Sequence, residues 1–89
     1  MDTLTMVWKF PLPMKDIAEI EMPIGAEVLY VGTQGQGAFL WARANPDAPR
    51  KTRRFRVAGT GHTLGTVGTY IGSFMLLDGA LVFHVFEAE

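Results

Sequence analysis

Apolar and polar residues alternate along most of this chain, which is the period of a half-buried β-strand. In residues 4–10 the large apolar side chains occupy the even positions, and Pro11 ends the pattern. Similar alternation, interrupted by glycine and proline, predicts further strands over 17–22, 27–32, 38–44 and 51–58.

The same period assigns side chains to faces. In 27–32 we expect Val28 and Tyr30 on one face, with Leu29 and Val31 on the other. In 38–44, Phe39, Trp41 and Arg43 share a face. For Trp41 the default expectation is core packing, and the alternative is a ring that stacks on a ligand.

The dipeptide Asp78-Gly79 between two apolar runs predicts a two-residue β-hairpin of type I′. Counting outward from this turn sets the cross-strand partners: Leu76 with Leu81, Phe74 with Phe83, and Ser73 with His84.

Helical signals are weak, since residues 59–72 combine five glycines with β-branched residues and only 14–20 carries a short helical period. We therefore predict an all-β fold, or a β-rich one with at most one short helix. Its form would be a small antiparallel sandwich or barrel of about six or seven short strands. The 89 residues fit a single domain over 1–89.

Composition limits the classes of protein. The chain has no cysteine, which excludes disulfides and thiolate metal sites, and many aromatic residues for its length. Because a small core cannot hide them all, we expect a homo-oligomer. A net charge of −1 argues against a nucleic acid partner. No signal-peptide pattern and no apolar run of about 18 residues occurs, so we expect a cytoplasmic protein outside the membrane.

Five of the eight cationic residues lie within seven positions, at 50, 51, 53, 54 and 56. On a strand, Arg54 and Arg56 share a face about 7 Å apart and would suit an anion. Arg53 lies on the other face and is expected to pair with Glu19, Glu21 or Glu27. The alternative for the whole run is a solvated or edge-protecting strand.

A glycine-rich segment, Gly59-Thr60-Gly61-His62, follows this basic strand. Thr60, Gly61 and His62 are candidate ligand contacts if their backbone amides turn inward. Tyr30 or Trp41 would stack on a planar part of the ligand. The segment lacks the features of a P-loop or a dinucleotide-binding loop, and a plain turn is the alternative.

Catalytic and metal sites are not predicted. The chain has two histidines, one serine and no cysteine, without His spacing typical of metal sites. We expect His84 to bond a neighbour such as Ser73, and we predict no enzymatic activity, no metal and no cofactor.

The string Arg53-Arg54-Phe55-Arg56-Val57-Ala58-Gly59-Thr60-Gly61-His62, after Pro46-Asp47-Ala48-Pro49, resembles a small family of uncharacterised phage and prophage proteins. Phe10-Pro11-Leu12-Pro13, Glu21–Ala26, Leu40-Trp41-Ala42 and His84-Val85-Phe86-Glu87 add to the resemblance. It implies a domain of unknown function, made in an infected or lysogenic bacterium, and it assigns no site residue.

Three functions follow as hypotheses. The first is a non-enzymatic anti-defence sponge that sequesters an anionic, nucleotide-derived signal, such as a cyclic nucleotide or an ADP-ribose derivative. The second is an inhibitor that docks on a host defence protein. The third is a small structural protein of the virion.

Overall fold

Seven antiparallel strands form this protein, whose computed structural model describes residues 3–88. No helix occurs in that range, so the all-β prediction is confirmed, and the weakly helical segment 14–20 leads into a strand instead. The strands are β1 (Met6–Pro11), β2 (Ile17–Pro23), β3 (Glu27–Gln34), β4 (Gly37–Ala44), β5 (Arg50–Gly59), β6 (Val67–Leu76) and β7 (Leu81–Ala88).

The strands pair into two sheets, one of three strands in the order β1-β4-β3 and one of four in the order β2-β5-β7-β6. The architecture is therefore a two-sheet sandwich. Its sheets also meet along one side, where β6 passes β3. A Cβ atom added at Gly72 of β6 would lie 2.7 Å from Val31 Cγ1 of β3, so glycine allows this close approach.

The core lies between the sheets and follows the predicted alternation. From β4 come four small or medium apolar residues at the even positions, whereas the odd positions face outward. From the four-stranded sheet come Phe55 and Val85, both fully buried in the same cluster as Leu40. None of the described residues with a charged or polar side chain is buried.

Strand β3 departs from simple alternation, because its register against β4 shifts between Val28 and Tyr30. The bulge adds Leu29 to the strand, so that Val28 and Val31 both pack toward the core while Tyr30 points outward. The prediction that Val28 and Tyr30 share a face is wrong for this reason. Core packing of Trp41 is also wrong, since Trp41 lies opposite Tyr30 on the outer face and outside the core cluster.

The β6–β7 hairpin has the predicted partners, Leu76 with Leu81, Phe74 with Phe83 and Ser73 with His84. The Ala80 amide donates to the Leu77 carbonyl at 3.0 Å and closes the turn around Asp78-Gly79. Leu77 also has a positive φ of 52°, so the turn involves more of the chain than the two residues predicted.

The part of the chain described by the structure contains no helix long and apolar enough to cross a membrane.

Candidate ligand-binding site

The seven predicted site residues lie on two separate faces of the sandwich. Arg54 and Arg56 occupy the outer face of the four-stranded sheet, opposite Glu19 and Phe86. Thr60, Gly61 and His62 follow in the loop after β5. Tyr30 and Trp41 lie on the outer face of the three-stranded sheet. The structure thus does not bring those two rings to the arginines.

The hydrogen-bond donors of Arg56 are used by other groups of the protein. Its side chain is 14% exposed, and its Nη2 donates to the Thr63 carbonyl at 2.8 Å. Its other contacts are equally internal: Nε donates to Leu64 O at 3.3 Å, Nη1 donates to Val57 O at 2.8 Å and to Asp16 O at 3.3 Å, and Nη1 lies 3.6 Å from Asp16 Oδ1. The guanidinium therefore holds the loop after β5 onto the sheet.

Arg53 and Arg54 of the same strand make different contacts from Arg56 and from each other. Arg53 does not pair with Glu19, Glu21 or Glu27 as predicted; it bonds the Glu87 carboxylate and the Ala26 carbonyl. The reason is the β2–β5 register, which sets Glu19 opposite Arg54 on the outer face. Arg54 is 52% exposed and lies 3.9 Å from Glu19, which is a weak surface ion pair.

The glycine-rich loop forms the wall of a small pocket. The His62 amide donates to the Gly59 carbonyl at 3.0 Å, and the Thr60 amide donates to Val82 O at 3.1 Å. Because both amides already have partners, they do not converge on an anion. The pocket has a volume of about 210 Å³ and is lined by Ala58, Gly59, Thr60, Gly61, His62, Leu64, His84 and Phe86.

A chain of hydrogen bonds runs along the sheet face and reaches the pocket at its end. Tyr70 Oη lies 2.7 Å from Ser73 Oγ, which lies 2.8 Å from His84 Nδ1, and His84 Nε2 lies 2.8 Å from Thr60 Oγ1. The Ser73–His84 bond was predicted by counting from the hairpin turn. The bonds that Thr60 and Tyr70 make were not predicted. Thr60 lies in a loop, and Tyr70 lies beyond a register shift in β6.

One assignment of donors and acceptors satisfies all of these side-chain hydrogen bonds together. The Thr60 hydroxyl donates to the Val82 carbonyl at 3.4 Å, so it accepts from His84 Nε2–H. His84 Nδ1 then accepts from Ser73, which accepts from Tyr70. The imidazole is thereby fixed in its orientation, with both nitrogens used inside the protein.

The outer face of the three-stranded sheet carries a row of contacting rings, Tyr30, Trp41 and Phe39, which we call the aromatic face. Ring centroids lie 5.6 Å apart between Tyr30 and Trp41, and 6.1 Å apart between Trp41 and Phe39. The Lys9 ammonium lies 4.7 Å from the centre of the Phe39 ring and donates to Gln34 Oε1 at 2.8 Å.

A groove of about 760 Å³ lies between the tips of the β3–β4 and β6–β7 hairpins. Its lining includes Met75 and Leu77, and Asp78 is its one charged residue. None of the predicted site residues lines it. No group of three His, Asp or Glu side chains within residues 3–88 is arranged to hold a metal ion.

Comparison with curated proteins gives no match, and no solved structure matches the chain. A family model described as a domain of unknown function, DUF7352, matches residues 4–89, which is nearly the whole chain. The predicted membership of a family of unknown function is therefore confirmed. The match does not show that the family is specific to phages or prophages. This protein belongs to the DUF7352 family, a domain of unknown function.

Proposed function

We propose that this protein is a non-enzymatic binding module that holds a ring of a nucleotide-derived ligand in the pocket beneath the glycine-rich loop. The observation that carries the proposal is the anchoring of the loop by Arg56, which brings three predicted residues together with His84 and Phe86. A site fixed before the ligand arrives loses less entropy on binding.

The size and chemistry of the pocket indicate what enters it. At about 210 Å³ it is smaller than the roughly 300–1,000 Å³ typical of drug-sized ligands, so it suits one ring rather than a whole dinucleotide. Phe86, with Tyr70 packed against it at 5.3 Å, offers an aromatic surface to that ring. The hydroxyl of Thr60, which donates to Val82 and accepts from His84, keeps one lone pair to accept a hydrogen bond from the ligand at the rim.

The charged part of the ligand would lie outside the pocket. Arg54 is the arginine on this face that is half exposed and weakly paired, and it lies four residues along the strand from Ala58, about 13 Å. A phosphate attached through a sugar would extend in this direction. Arg56 then has a positioning role instead of the direct contact that the sequence predicts.

Binding without turnover is the better assignment for the hydrogen-bonded chain. Ser73 does contact an imidazole nitrogen, as a nucleophile contacts its base. However, the other nitrogen, Nε2, bonds the Thr60 hydroxyl instead of the carboxylate that orients the base in a catalytic triad. We extend the proposal to the cytoplasm of an infected bacterium, where sequestering an immune signal would be the biological role.

Isothermal titration calorimetry against cyclic di- and trinucleotides and ADP-ribose derivatives tests the proposal. We expect one member to bind with a Kd below roughly 10 μM. Thr60→Val and Phe86→Leu should each weaken binding about tenfold, since each removes about 1.4 kcal/mol of contact.

Tyr30→Ala, on the opposite face, is the control and should bind as the unmodified protein does. Recovered ligand should be chemically unchanged by chromatography. Absence of binding across the panel, equal loss in the Tyr30 control, or conversion of the ligand would each contradict the proposal.

A further inference from the structure

The pocket beneath the glycine-rich loop has few polar side chains, so these decide which way a bound ring lies. They belong to Thr60, His62 and His84. Both ring nitrogens of His84 are already bonded, one to Ser73 and the other to Thr60. What Thr60 and His62 offer therefore sets the side-chain hydrogen bonds that a ligand is able to make.

The hydroxyl hydrogen of Thr60 stays inside the protein in either tautomer of His84. Where His84 Nε2 carries a hydrogen, it donates to Thr60 Oγ1 at 2.8 Å, and the hydroxyl donates to the Val82 carbonyl at 3.4 Å. Where Nδ1 carries the hydrogen instead, the hydroxyl donates to Nε2 across the same 2.8 Å. In both states Thr60 keeps a lone pair but no hydrogen for a ligand, so it acts as an acceptor.

The groups around Thr60 favour the same kind of ligand atom. The amides of Thr60 and His62 donate to the carbonyls of Val82 and Gly59, so these amides are used inside the protein. The His62 imidazole lies over Gly59, where an added Cβ would be 3.1 Å from its Cε1. An imidazole is able either to donate or to accept, so His62 does not select between the two. The selection lies with Thr60, which accepts.

We infer that the pocket selects a ring that carries an amino group, as adenine does, over the same ring without one; this inference rests on the proposed function. An amino group projects from the ring edge and has hydrogens to donate. It therefore complements Thr60 Oγ1 while the ring lies against Phe86, since both residues line the pocket. A ring carbonyl in the same place, as in hypoxanthine, would set two acceptors against each other. The ligand class thus narrows to nucleotide-derived anions with an amino-bearing base.

Titration of the isotope-labelled protein with adenosine monophosphate and with purine riboside monophosphate, followed by two-dimensional NMR, tests this inference. The two nucleotides share ring, sugar and phosphate and differ only by the amino group. We expect adenosine monophosphate to bind about tenfold more tightly, with the amide signals of Gly61 and His62 shifting. Inosine monophosphate, which has a carbonyl in place of the amino group, should bind no better than purine riboside monophosphate.

Thr60→Val and Thr60→Ser are the matched variants. Valine removes the hydroxyl and keeps the shape of the side chain, so adenosine monophosphate should bind about tenfold more weakly. Purine riboside monophosphate should bind as before, and the preference should disappear. Serine keeps the hydroxyl and should keep the preference. Circular dichroism checks that both variants fold.

The possible outcomes separate this inference from the proposed function. Equal affinity for adenosine and purine riboside monophosphates, or a preference that survives Thr60→Val, would overturn the inference and leave the pocket as a binding site. If neither nucleotide shifted the signals of the loop, the proposed function itself would be contradicted, and the inference would fail with it.

Discussion

Two arginines of strand β5 have different roles: Arg56 is bonded inside the protein, and Arg54 faces solvent. A guanidinium has five N–H donors in a fixed plane, so it is able to bond several carbonyl oxygens at once. At position 56 it does so, joining β5 to the loop at Thr63 and Leu64 and to the segment at Asp16. Two positions earlier, Arg54 remains half exposed to solvent.

Arg56→Lys is predicted to destabilise the fold although it keeps the charge. A lysine has a single ammonium that does not reproduce the planar set of bonds, so about 2 kcal/mol of unfolding free energy should be lost. Urea unfolding followed by circular dichroism measures this loss. Arg54→Lys is the control, with an expected change within about 0.5 kcal/mol. Equal effects at both positions would contradict the assignment of Arg56 as a loop anchor.

The difference between these arginines could not be predicted from alternation. Both occupy the outward positions of β5, and the sequence therefore treats them alike. What separates them is the path of the loop after Gly59, which returns over Arg56. By contrast, the Ser73–His84 bond was predictable, because it depends only on register counted from a nearby turn.

At the scale of elements, the sequence predicts pairing well where turns are short. The β6–β7 partners follow from Asp78-Gly79, whose positive φ values of 54° and 87° suit the turn. The bulge in β3 is not predictable in this way. It adds Leu29 without any glycine or proline to mark it, and only packing against β4 shows which residues face inward.

Two glycines at sheet positions are predicted to respond oppositely to alanine. At Gly72 the added Cβ would meet Val31, which is 3% exposed and has no room to move, so we expect a loss of about 1–3 kcal/mol. At Gly32 it would meet the exposed Tyr30 ring, which is free to rotate away, so stability should stay within about 0.5 kcal/mol.

Urea unfolding of Gly72→Ala and Gly32→Ala at a monomeric protein concentration measures both values. No loss at Gly72 would show that β6 does not press against β3 as described, and a large loss at Gly32 would show that the Tyr30 ring does not move aside.

For the whole molecule, the small core makes the two sheets dependent on each other. Phe55 and Val85 of one sheet and Leu40 of the other belong to one buried cluster, and within residues 3–88 neither sheet has a second core on its outer face. A domain of this length buries only about 60–65% of its unfolded surface, so its free energy of unfolding is small. The sheets should therefore unfold together in one transition.

Phe55→Ala tests this dependence, since Phe55 is the largest fully buried side chain. Removing a buried phenylalanine costs about 3–5 kcal/mol. That is a large share of the roughly 4–13 kcal/mol expected for a chain of this length. The melting temperature should fall by more than about 12 °C in a single transition, measured by scanning calorimetry at monomeric concentrations.

Phe39→Ala is the control, because it removes the same ring from the outer face. It should cost about 1 kcal/mol, mainly its contacts with Lys9 and Trp41. Loss of a shared core lowers the stability of both sheets together and leaves a single transition. Two separate transitions in Phe55→Ala would therefore show that the sheets are independent units.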